Sequence, residues 1–141
     1  KNICRDVTAE RIRRLNALDS GKYADLSAEF AYLRTREIDF EAINAELEPA
    51  EAWNALEAMH GLPLTPHDPA RGWNEHGNDA LTLVLADRTD EGLIARLHEL
   101  AAARANVFVY SWAPGQVRNA LGPVDFEVLP VRETLVKRFT A

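Results

Sequence analysis

Asp87, Arg88, Asp90, Ser111 and Trp112 are the side chains of this sequence best placed to do chemistry. Each lies at or just past the end of a run that reads as a β-strand. Residues 80–86 (ALTLVLA) precede the first three, and residues 106–112 (NVFVYSW) contain the last two. An α/β sheet binds ligands in the crevice outside the carboxyl ends of its parallel strands, so these five residues are the crevice candidates. The carboxylates of Asp87 and Asp90 would suit a magnesium ion. They equally suit helix capping, because a short acidic side chain accepts backbone N–H bonds in a first turn, and capping is the simpler reading. Ser111 is the polar group there with nucleophile chemistry, and no base accompanies it. The following Pro114 and Gly115 read as the start of a helix, hence as a connector.

Arg11, Arg13 and Arg14 form a second cluster and are the candidates for nucleic-acid contact. On a helix at most two of them share a face, so a solvated surface is the simpler reading. Residues 1–14 carry five basic and two acidic side chains, whereas the acidic stretch 39–57 has six acidic and no basic ones.

Other chemistries lack their residues. No G-x-G is present for a dinucleotide or S-adenosylmethionine loop. "GWNEHGND" (residues 72–79) has phosphate-loop spacing, but Asn78 and Asp79 stand where Lys and Ser/Thr are required. There is no G-x-S-x-G elbow. The four histidines form no H-x-H or H-E-x-x-H pair, and one cysteine, Cys4, excludes a thiolate zinc site. His67 with Asp68, and His76 with Asp79, are near enough in one loop to meet, but loop solvation explains them, and no metal site is expected. As a small apolar residue, Cys4 is expected to pack.

The elements that would position these residues follow from periodicity. "RDVTAERIRRLNAL" reads as a helix capped by Asp6 or Thr8, and "EFAYLRTREI" as a strand. Residues 39–61 read as two helical pieces, with Phe40, Ile43 and Leu47 on the first and Trp53, Leu56 and Met59 on the second. Pro49 opens the second, and Gly61 supplies its left-handed cap. Residues 63–79 read as a loop with a short strand around Trp73. Residues 80–86 form a continuous apolar run, as in a strand covered on both faces. Leu93, Ile94, Leu97 and Leu100 then recur at helical spacing behind a cap at Thr89 or Asp90. "NVFVYSW" is a strand, "PGQVRNALG" a short helix, and "VDFEVLP" an alternating edge strand. "RETLVKRFTA" fits helix or strand.

This order predicts an α/β fold. A small Rossmann-like β-α-β-α-β unit with parallel strands spans residues 80–141. A helical and single-strand half (residues 1–62) and a loop (residues 63–79) precede it. The 141 residues suit a single domain, with 47% hydrophobic and 27% charged residues. No apolar run reaches the roughly 20 residues of a membrane span. A lone cysteine fits a cytoplasmic protein. The net charge of −6 disfavours a stand-alone nucleic-acid binder. The chain starts with Lys1, which fits a fragment of a longer protein.

The segments "ICRDVTAERIRRL", "EFAYLRTREI", "AEAWNALEAMHG" and "VFVYSWAPGQVRNAL…LPVRETLVKRF", in this order, resemble the C-terminal region of bacterial adenine-specific DNA methyltransferases, the modification subunits of restriction–modification systems. The resemblance covers nearly the whole chain but none of the family's catalytic motifs. The Pro-Pro-aromatic loop and the Phe-x-Gly-x-Gly cofactor loop are missing, so no catalytic or cofactor residue carries over. It implies a non-catalytic domain downstream of a methyltransferase domain, serving subunit assembly or DNA positioning. The parent would use S-adenosylmethionine; this chain would hold no cofactor. The implied partners are the upstream domain, DNA, a restriction subunit or a second copy. Two other readings are a self-contained small enzyme or ligand binder using the crevice, and a protein–protein module.

Overall fold

The computed structural model describes residue 38 and residues 43–139. Along the chain come α1 (Ile43–Glu46), α2 (Pro49–Met59), β1 (Trp73–Gly77), β2 (Thr82–Ala86), α3 (Glu91–Ala102), β3 (Val107–Ser111), α4 (Pro114–Leu121), β4 (Val128–Pro130) and α5 (Val131–Phe139). The described residues all belong to one unit, Ile38–Ala141. The expected N-terminal helix, the strand "EFAYLRTREI" apart from Ile38, and the residues Cys4, Arg11, Arg13, Arg14 and Phe40 lie outside the described residues.

The sheet runs β1-β2-β3-β4. β2, β3 and β4 are parallel, and β1 pairs antiparallel with β2, Trp73 lying opposite Ala86 and Gly77 opposite Thr82. The fold is therefore α/β with a mixed sheet. The strand order does not reverse among the described strands, and such a reversal is what opens a dinucleotide crevice.

Strand alternation sorts side chains onto two faces. Val84, Ala86, Val107, Val109 and Val128 face one way and pack with Leu93, Leu97 and Leu100 of α3 and Val117 and Leu121 of α4. Leu83, Leu85 and Tyr110 face the other way and pack with Ala52, Trp53 and Leu56 of α2 and Val131 and Leu135 of α5. Helices thus cover both faces, which is why residues 83–86 can be apolar without alternation.

Local signals set the element ends. Pro49 opens α2, and the Glu48 N–H donates to Glu51 Oε2 at 3.1 Å. Gly61, at φ 70°, closes it; the Gly61 N–H donates to Ala58 O and the Leu62 N–H to Glu57 O, the bond pair of a Schellman cap. Asp90 caps α3, its Oδ1 accepting from the Leu93 N–H at 2.8 Å. The hairpin between β1 and β2 turns at Asn78, whose Oδ1 accepts from the N–H groups of Ala80 and Leu81. "GWNEHGND" is accordingly strand β1 and its turn.

Two expectations are corrected. The alternating segment 124–128 is not a strand over its length: β4 begins at Val128. Val124 and Phe126 nonetheless pack against the core, with Asp125 and Glu127 exposed, so the alternation marks burial alone. The tail, open between helix and strand, is α5. It has to be a helix, since Val131 and Leu135, one helical turn apart, reach the same core.

Arginines tie the helices to both outer strands of the described sheet. Arg96 of α3 clamps Glu75 of β1 with two bonds, Nε to Oε2 at 2.9 Å and Nη2 to Oε1 at 2.7 Å, and also reaches Glu99. The bonds to Glu75 and then Glu99 raise the guanidinium pKa further. Arg118 of α4 donates through Nε and Nη2 to Val128 O at the opposite edge.

Candidate functional site

Each of the three parallel strands delivers one side chain, just past its carboxyl end, to a common crevice. Asp87 follows β2, Trp112 follows β3, and Arg132 lies two residues beyond β4. With Leu47 and Pro49 they line a cavity of about 280 Å³ among the described residues.

Asp87 is the hub. Its Oδ2 lies 2.7 Å from His67 Nε2, and its Oδ1 accepts from Trp112 Nε1 at 3.2 Å. The His67 side chain is only 4% exposed and that of Asp87 16%, so the pair is shielded from water. The Arg132 guanidinium carbon lies 4.9 Å from the centroid of the Trp112 ring, within cation–π range. Arg132 Nε is buried and makes no hydrogen bond.

The five crevice candidates divide. Asp87 and Trp112 come together there. Asp90 caps α3. Ser111 is buried, and its Oγ accepts from the Ala113 N–H at 3.0 Å, which fixes the turn into α4. Arg88 is exposed, and its N–H, like that of Asp87, donates to Gly72 O. The turn after Trp112 is therefore a connector built by Ser111 and Pro114, while Trp112 itself faces the ligand-sized space. Arg132, which lines the crevice, and His67, which backs Asp87 from outside the lining, are not singled out for it by the sequence. Arg132 gives no local signal because the tail that carries it fits helix or strand by pattern. His67 carries no local signal, since its partner lies 20 residues away.

The histidines do not pair with their sequence neighbours. His67 meets Asp87 rather than Asp68, and His76 meets Glu57 rather than Asp79. Among the described residues, no group of three or more His, Cys, Asp or Glu is arranged to hold a metal ion. Nor is any helix there long and apolar enough to cross a membrane.

Two further polar clusters lie on the α2 side of the sheet. Glu57 is fully buried. It accepts from the Thr65 N–H at 2.9 Å and from the Thr65 hydroxyl, and pairs with His76 Nδ1 at 2.8 Å. Trp53 Nε1 donates to the same hydroxyl at 3.1 Å. A buried carboxylate is tolerated only with such donors, and these fasten the loop after α2 to β1. Nearby, His60 Nε2 lies 2.8 Å from the Tyr110 hydroxyl, and its ring rests on Phe108 with centroids 4.4 Å apart. Burial lowers the His60 pKa and raises that of Tyr110, so both stay neutral near pH 7.

The crevice can hold a compact ligand against an aromatic wall and a guanidinium. Among the described residues no serine is hydrogen-bonded to a histidine as a Ser-His-Asp relay needs; the Ser111 Oγ accepts from the Ala113 N–H in its own turn. Compared with protein-family models, curated proteins and solved structures, the chain matches none of them.

Proposed function

We propose that this chain is a non-catalytic α/β accessory domain of an adenine-specific DNA methyltransferase, and that it serves subunit assembly in preference to DNA positioning. In this reading the β2-α3-β3-α4-β4 unit is a Rossmann-like scaffold rather than a cofactor site. The supporting observation is the engagement of Asp87, Asp90 and Ser111 at the carboxyl ends of β2 and β3. Asp90 and Ser111 each accept a backbone N–H at the start of a helix, and Asp87 ties His67 to Trp112. Those bonds make a rigid frame. The four segment resemblances supply the parent enzyme, and the net charge of −6 favours a protein partner over phosphate. The parent would bind S-adenosylmethionine in its upstream domain, and the assembly partner would be a second copy or a restriction subunit.

The test begins with the reading frame upstream of Lys1, which should encode a glycine-rich cofactor loop and a Pro-Pro-aromatic loop. The whole protein should then methylate adenine in DNA and sediment as an assembly. Removal of residues 38–141 should dissociate that assembly. DNA affinity that survives Ala replacement of Arg11, Arg13 and Arg14 with an unchanged salt slope would remove the DNA-positioning variant, since one lost phosphate contact lowers the slope by about one. An upstream frame without methyltransferase motifs, or an assembly indifferent to the deletion, would sink the proposal.

A further inference from the structure

We propose that the crevice at the carboxyl ends of β2, β3 and β4 binds a small carboxylate, with Arg132 as its anchor. This goes beyond the assembly reading and does not depend on it. Three observations converge on the anchor. First, Arg132 Nε is buried and without a hydrogen bond, and native proteins seldom leave a buried donor unmatched. Second, the guanidinium lies over the Trp112 ring. A guanidinium held over a ring by cation–π attraction keeps N–H groups for a planar acceptor, which a carboxylate matches with two parallel bonds. Third, no described residue supplies the acceptor. Both Asp87 oxygens are engaged, by His67 and Trp112, and none of the ion pairs among the described residues includes Arg132.

The walls narrow the ligand class. Leu47, Pro49 and Trp112 offer apolar surface to the body of the molecule. The Asp87 carboxylate lines the same cavity, so a doubly charged phosphate is repelled more strongly than a singly charged carboxylate. A volume of about 280 Å³ lies at the small end of ligand cavities, roughly 300–1,000 Å³. The expected ligand is a compact monocarboxylate with an apolar body. Because Nε is buried, the Arg132 side chain must shift for a ligand oxygen to meet it.

Benzoate and butyrate are the probes, with inorganic phosphate as the contrast, titrated into the 141-residue chain and followed by tryptophan fluorescence and by the Arg132 Nε–H resonance. A saturable response to one of the carboxylates is expected, with that resonance moving. Arg132→Lys, which keeps the charge but loses Nε and the planar fork, should weaken binding at least tenfold, and Arg132→Gln should abolish it. Trp112→Phe should retain binding while losing most of the fluorescence change. Saturation by phosphate alone, a response unaltered in Arg132→Gln, or no response to either carboxylate would each overturn the proposal. If Arg132→Gln does not fold, the Nε–H resonance of the unmodified chain decides: a signal unmoved by saturating carboxylate overturns it.

Discussion

Arg104 is the only non-glycine residue with a positive φ among those described, at 52°. It occupies the left-handed position that ends α3. Its N–H donates to Ala101 O and the next N–H, of Ala105, to Leu100 O, the same bond pair that Gly61 organises after α2. A side chain in that conformation clashes with its own backbone, and glycine removes the clash at some cost in unfolded-chain entropy. Arg104→Gly should therefore stabilise the fold by about 0.5–1 kcal/mol, read as a higher urea midpoint with an unchanged m-value. An unchanged or lower midpoint would mean that the Arg104 side chain makes a compensating contact. The sequence announces one of these two caps and conceals the other. Gly61 is recognisable by residue type, whereas an arginine in the same role is not.

At the scale of elements, the tightest junction joins the start of β1 to the start of α3. The Gly72 carbonyl accepts from the N–H groups of both Asp87 and Arg88, and a Cβ at Gly72 would lie 2.3 Å from Asp90 Oδ2. The partner carboxylate oxygen, Oδ1, caps α3, so Asp90 cannot swing aside without giving up its cap. Asp90→Ala should cost about 1 kcal/mol, and Gly72→Ala should cost at least as much. In the double variant the obstruction is gone, so the two losses should sum to clearly more than the measured total. Thermal unfolding of the four proteins of the cycle checks this; strict additivity would show that the contact does not couple the sites. Of this junction only the cap was legible, since Asp90 precedes an apolar run at helical spacing. The approach of Gly72 depends on pairing between β1 and β2, which no local pattern specifies.

At the scale of the whole molecule, β2 and β3 are the interior strands, flanked by neighbours in the sheet and by helices on both faces. Their amides should exchange most slowly, with β4 and the hairpin at Asn78 opening first. Hydrogen exchange monitored by mass spectrometry measures this order, and faster exchange in 82–86 than in 128–130 would contradict it. Within that frame, Leu85→Ala should cost about 2–5 kcal/mol, as expected for a fully buried leucine.

The α/β class, the β-α-β-α-β order, the capping by Asp90 and the Gly61 stop follow from the sequence, because each depends on neighbours within a few residues. So does the placement of Asp87 and Trp112 at strand ends. Tertiary structure alone decided the rest. The antiparallel edge strand β1 depends on its pairing with β2. The helical tail is decided by where Val131 and Leu135 can reach the core. The pairing of His67 with Asp87 and the delivery of Arg132 to the face of Trp112 each join side chains 20 residues apart in sequence. Hydrophobic periodicity records which side of an element is buried; it does not record what that side is buried against, and the crevice is made of the latter.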